Sequence, residues 1–187
     1  MRSQFHGLKI FQIGLFILIL AGCQKMKPEK ISIPEYPDLG EVYNSQYREL
    51  DSRSLEKEVS LDSKTESNTF SMDTAKWKEE LSFFAEMNPN QPEYVGVFEV
   101  TETGNMKTLK LRENEIGILK SVSLEKSDEN YSKIIATIHE DKDVYAHHRE
   151  IEVSFENGLI NSFSIEGYQK IMFKDTVRFR IRGEVSL

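Results

Sequence analysis

From Glu93 to Leu187 the chain runs without a proline, in short β-branched and aromatic stretches separated by turn residues. That period-two pattern predicts an antiparallel β-meander over 93–187, with strands at 94–101, 106–112, 118–125, 132–140, 143–156, 159–173 and 176–186. Thr103-Gly104-Asn105 joins the first pair. A two-residue turn at Asp141-Lys142 would pair Ile138 with Tyr145. It would set Tyr145, His147, Arg149, Ile151, Val153 and Phe155 on the face that carries Ile134 and Ile138. At Glu156-Asn157-Gly158 a three-residue loop with Gly158 left-handed would pair Phe155 with Leu159 and Ile151 with Phe163. A two-residue turn there would place Phe163 opposite Glu152, on the polar face.

Before the meander the period lengthens. Tyr43, Tyr47 and Leu50 fall at helical spacing and then drift to Leu55 and Val59, and residues 41–60, rich in helix formers, are predicted as a helix. Residues 61–71, "LDSKTESNTFS", are polar and read as loop. The clearest helix signal follows: Asp73 is a candidate N-cap, Met72 and Trp77 form a candidate hydrophobic staple, and Trp77, Leu81 and Phe84 repeat on one face until Asn88-Pro89 stops the helix. The expected body is therefore a single α+β domain over 41–187. Its helical part spans 41–88, with one or two helices packed on a meander of about seven strands.

The N-terminus has a different pattern. Arg2 and Lys9 precede an apolar run from Ile10 to Leu20, and the small residues Ala21 and Gly22 come before Cys23, the only cysteine. The run is well short of the roughly 20 residues a membrane-spanning helix needs. Leu20-Ala21-Gly22-Cys23 resembles the lipobox of bacterial lipoproteins. The resemblance implies a type II signal peptide over 1–22 and cleavage between Gly22 and Cys23. A diacylglycerol would sit on the cysteine sulfur, and a further acyl chain, palmitate in kind, on the new amino terminus. Gln24 after the cysteine looks like the family's pattern for export to the outer membrane. Residues 23–40, with Pro28, Pro34 and Pro37, read as the lipidated cysteine and a flexible tether. The expected localisation is the bacterial cell envelope, with the membrane as partner through the lipid on Cys23.

Charge narrows the partners. The chain carries 24 basic and 31 acidic residues for a net charge of −7, and losing residues 1–22 deepens this by two because Arg2 and Lys9 go with no acid. An acidic body gains nothing from phosphate backbones, so nucleic acid is not an expected partner. With Cys23 lipidated no thiol remains for a disulfide, and stability must come from an ordinary core.

Candidate chemistry is sparse. His139, His147 and His148 lie near Glu140, Asp141 and Asp143, but adjacent residues of a strand point to opposite faces. In the register above His139 and His148 stand on the order of 13 Å apart, so no metal is expected. "VRFRIRGEV" at 177–185 puts Arg178, Arg180 and Arg182 on one face, a weak anion-binding row that more often is a solvated face offset by neighbouring glutamates. No nucleophile elbow, phosphate-binding glycine loop or calcium loop is present, and no cofactor is expected. The sequence thus points to a non-catalytic structural or binding role for an anchored envelope lipoprotein. The alternatives are a lipocalin-like or half-barrel carrier of an apolar ligand, and a carboxylate-dependent hydrolase.

Overall fold

The computed structural model describes residues 36–186. Cys23, its cleavage position after Gly22 and most of the tether lie outside the described residues. The described chain forms α1 (Leu39–Glu49), β1 (Ser54–Leu61), β2 (Lys64–Ser71), α2 (Thr74–Glu80), a 3-10 turn (Leu81–Phe83) and α3 (Phe84–Met87). After a further 3-10 turn (Pro92–Tyr94) come β3 (Phe98–Thr103), β4 (Met106–Leu111), β5 (Leu119–Ser127), β6 (Asn130–Lys142), β7 (Tyr145–Glu156), β8 (Leu159–Ile171) and β9 (Val177–Val185). All nine strands form one antiparallel sheet in the order β2-β1-β9-β8-β7-β6-β5-β4-β3.

The class is α+β, with nine strands where about seven were expected. The added pair is the β1–β2 hairpin, which occupies residues read from sequence as helix and loop. Asp38 caps α1 by accepting from the Gly40 N–H at 2.8 Å, and α1 stops at Glu49, with Ser52 in the left-handed region at φ 66°. Beyond it Leu55, Lys57, Val59 and Leu61 alternate with period two, so the drifting stripe belongs to a strand. β2 is exposed at every position and holds one large apolar residue, Phe70. It is a polar edge strand formed by pairing with β1 around a turn at Asp62, φ 49°. Tyr36 and Leu39 are already buried, so ordered packing begins inside the stretch read as tether.

Asp73 caps α2 as expected, its Oδ1 accepting from the Lys76 N–H at 2.9 Å. The expected single helix over 73–88 is broken at Leu81–Phe83. The break turns Phe83 onto the sheet along with Phe84, and Trp77, Leu81 and Phe84 are fully buried.

Two hairpin registers differ from expectation. The β6–β7 turn sits at Asp143-Val144, pairing Lys142 with Tyr145 and Ile138 with Arg149. β7–β8 has a two-residue turn, Asn157-Gly158, with both residues at positive φ (53° and 81°), as a type I′ turn requires. A bulge then skips Asn161, so that Phe163 pairs with Val153. The bulge returns Phe163 to the apolar face, which a turn of that length alone would have denied it.

One row of the sheet shows where the core lies. Val122, Ala136, Ile151, Ile165, Ile181 and Val59 are successive cross-strand partners from β5 to β1. The first three are fully buried, Ile165 and Ile181 half-buried, and Val59 is 38% exposed. The helical layer covers this inner face fully over β5 to β7 and only partly over β8, β9 and β1.

Candidate functional site

The uncovered part of the inner face is apolar. Between α2–α3 and strands β1, β8 and β9 runs a trough of about 540 Å³, floored by Leu55, Phe70, Met72, Phe83, Ile165 and Ile181. Two ion pairs, one within its lining and one reaching it through Glu86, tie the helices to the sheet. Lys57 of β1 meets Glu80 of α2 at 2.7 Å, and Arg149 of β7 meets Glu86 of α3 at 2.6 Å. Both pairs are partly shielded from water, and each places a charge on an otherwise apolar face where its partner satisfies it. The arrangement, an apolar floor with a few fixed polar groups at the rim, suits an apolar chain or ring with a polar end. Sequence reasoning missed it. Its signal was the run of apolar residues at alternate positions in 55–61 and 177–185, which share one face.

A second, wider cleft of about 950 Å³ opens at the β3–β6 side, lined by Tyr36, Asp38, Glu41, Glu102, Lys107 and Asp128 among others. It is polar and mixed in charge.

The arginine row lies on the outer face. Arg180 forms a bidentate pair with Glu166, at 2.7 and 3.0 Å, which also raises its pKa. Arg182 faces Glu58 at 3.8 Å. The Arg178 backbone N–H donates to the Asp62 carboxylate at 3.0 Å. The guanidinium fork that would take an anion at Arg180 is thus filled by Glu166.

The histidines do not stand as their sequence register placed them. His139 and His148 are direct cross-strand partners on the outer face with ring centroids 5.7 Å apart, because the turn lies two residues further along than expected. The expected separation of about 13 Å is corrected accordingly. His148 also stacks on Tyr168 at 5.8 Å, and His139 Nδ1 lies 3.1 Å from the His147 carbonyl. His147 points to the inner face, as alternation requires. It is buried, neither ring nitrogen has a hydrogen-bond partner among the described residues, and Glu140 Oε2 is 3.8 Å from its Nδ1. Burial pushes its pKa below the usual imidazole value, with the positive Arg149 adding to the effect. Among the described residues no group of three His, Cys, Asp or Glu is placed to hold a metal ion.

Among the described residues the Asp51 and Glu140 carboxyls are both held low. Hydrogen bonds from Thr74 lower Asp51, and Lys142 lowers Glu140. Neither has the raised pKa of a general acid. Among the described residues no helix is long and apolar enough to cross a membrane. Compared with known proteins, the chain matches no family model, no curated protein and no solved structure.

Proposed function

We propose that the chain is a lipid-anchored protein of the bacterial envelope, at the outer membrane, with a non-catalytic binding role, and that its binding site is the open trough on the inner face. The observation that carries the binding role is the row from Val122 to Val59, whose shielding fades toward β1. A sheet face that served only to build a core would be covered to its edge, since leaving Val59 and Phe70 exposed and Ile181 half-buried forgoes about 25 cal/mol for each Å² of apolar area left in water. The anchoring reading rests on Leu20-Ala21-Gly22-Cys23.

The same trough favours the apolar-ligand carrier as a second reading. The β2 and β3 edges stand at opposite ends of the strand order, so the form would be an open half-barrel partly filled by helices. The hydrolase reading fares worse, because two of the three carboxylates lining the trough, Glu80 and Glu86, are each held by a cation.

Two measurements test the proposal. Fatty-acid labelling in cells should mark the wild-type chain and not Cys23→Ser; equal label in both would refute the anchor. Dansyl-undecanoic acid should brighten on adding the protein and dim in Ile181→Asp, whose carboxylate would sit in the trough floor. An unchanged signal in a folded Ile181→Asp variant would sink the trough as the site.

A further inference from the structure

The exposed apolar side chains gather at one end of the sheet. Because the strands alternate in direction, the β1–β2, β4–β5, β6–β7 and β8–β9 connections share an end. Leu61, Ile116, Val144, Met172, Phe173 and Val177 lie in or beside them, with exposures of 53, 94, 59, 47, 97 and 38%. The β3–β4, β5–β6 and β7–β8 turns at the other end are Gly104-Asn105, Asp128-Glu129 and Asn157-Gly158. There only Met106 adjoins a turn with a large apolar side chain exposed.

The most prominent tip is the β8–β9 loop, and two features separate it from a chance exposure. The first is backbone strain: Phe173 has φ 62°, the left-handed region a bulky side chain rarely adopts. The loop is nevertheless fixed, with the Met172 N–H donating to the Val144 carbonyl at 2.9 Å and the Lys174 N–H to the Ile171 carbonyl at 3.0 Å. A fixed loop thus holds a phenyl ring at an unfavourable φ so that it stands in water, an arrangement that makes physical sense if water is not what the ring meets. The second is charge. Across 170–178, "KIMFKDTVR", Lys170, Lys174 and Arg178 face one acid, Asp175, in a chain whose net charge is −7. Apolar residues flanked by lysines suit a bilayer interface, where the rings and thioether enter the acyl boundary and the ammonium groups snorkel to headgroup phosphates.

We infer that the β8–β9 loop is a bilayer-contact site, in which Ile171, Met172 and Phe173 insert at the headgroup boundary while Lys170 and Lys174 meet lipid phosphates. The proposed function contributes only that the chain is held at a membrane. The roughly dozen residues between Cys23 and Tyr36 can extend about 40 Å, enough for an anchored body to reach the same bilayer. The contact would set the β8–β9 loop end of the sheet toward the lipid.

The test reads insertion separately from anchoring. Full-length Phe173→Trp and Glu102→Trp chains are reconstituted into vesicles of phosphatidylethanolamine and phosphatidylglycerol, with and without brominated acyl chains. Buried Trp77 supplies a background measured in the wild type. Phe173→Trp emission should shift to the blue and be quenched by brominated lipid several-fold more than Glu102→Trp, and Lys170→Glu with Lys174→Glu should weaken that quenching. Water-like, unquenched Phe173→Trp emission in chains that float with the vesicles would overturn the inference while leaving the anchor intact. Equal quenching of both reporters would overturn it too, since the body would then have no preferred end. A blue shift that appears only on adding envelope proteins would assign the loop to a protein partner instead. Lack of fatty-acid label on Cys23 would remove the anchor without touching a quenched loop.

Discussion

The Phe163 ring lies directly over Gly183, its cross-strand partner, with Cζ only 2.3 Å from where a glycine Cβ would stand. Phe163 is held in place by Phe83 of the helical layer, 5.3 Å away between centroids, and both rings are buried. Gly183 is therefore the hollow in β9 that lets the helix-to-sheet contact close. Gly183→Ala should destabilise the domain by about 1–3 kcal/mol, the range for overpacking a filled core, and thermal melting reads it directly. Gly183→Ala combined with Phe163→Leu should recover part of the loss, because the leucine side chain ends short of the new methyl. A single variant that melts like wild type would show that Phe163 has room to move.

Trp77 of α2 is fully buried, and no hydrogen-bond partner among the described residues reaches its Nε1. The missing partner subtracts from what the indole adds, so Trp77→Ala should cost about 3 kcal/mol, toward the lower end for aromatic truncation. Wild-type emission should be blue-shifted and resist iodide quenching. Water-like emission would show that α2 turns Trp77 toward solvent.

Most of this architecture was legible where periodicity and caps agree. The Asp73 cap, the Trp77-Leu81-Phe84 stripe and the proline-free meander each carry a signal within their own few residues. The β1–β2 hairpin was hidden for a physical reason. β2 has polar residues on both faces, so its strand character comes from the backbone pairing β1 provides, and β1 itself carries Lys57 at an inward position because Glu80 lies across from it. The β7–β8 register was hidden likewise. The bulge at Asn161 that rescues Phe163 has no local marker, and the alternation rule alone rejected the Asn157-Gly158 turn that occurs. The candidate trough was invisible because it is defined by what the helices leave uncovered.

His147 should make stability depend on pH. Its folded pKa is depressed, first by burial and then by Arg149, below the 6.5 of an unhindered imidazole. The unfolded chain then binds a proton more readily than the folded one, so the stabilisation is complete above about pH 6.5 and is lost as pH falls from there through the folded pKa. Denaturant midpoints for wild type should drop over that window, and His147→Phe should flatten the drop. Parallel pH profiles for the two proteins would show that His147 does not titrate apart from the unfolded state.

Gln46 is the buried polar residue of α1, 4% exposed, and it clasps the far end of the β7–β8 hairpin. Its Nε2 donates to the Gly158 carbonyl at 2.9 Å, and its Oε1 accepts from the Ile160 N–H at 2.8 Å. These bonds satisfy two backbone groups at the I′ turn that the helix would otherwise seal from water. Gln46→Leu fills the same space and removes both partners, leaving a carbonyl and an amide unsatisfied at about 1–3 kcal/mol each. The loss should be local as well as global. Amide exchange at Ile160 should accelerate more than at Ile151, whose cross-strand bonds to β6 and β8 are untouched. Uniform acceleration at both sites would mean that α1 acts only through overall stability and not as a clasp on this turn.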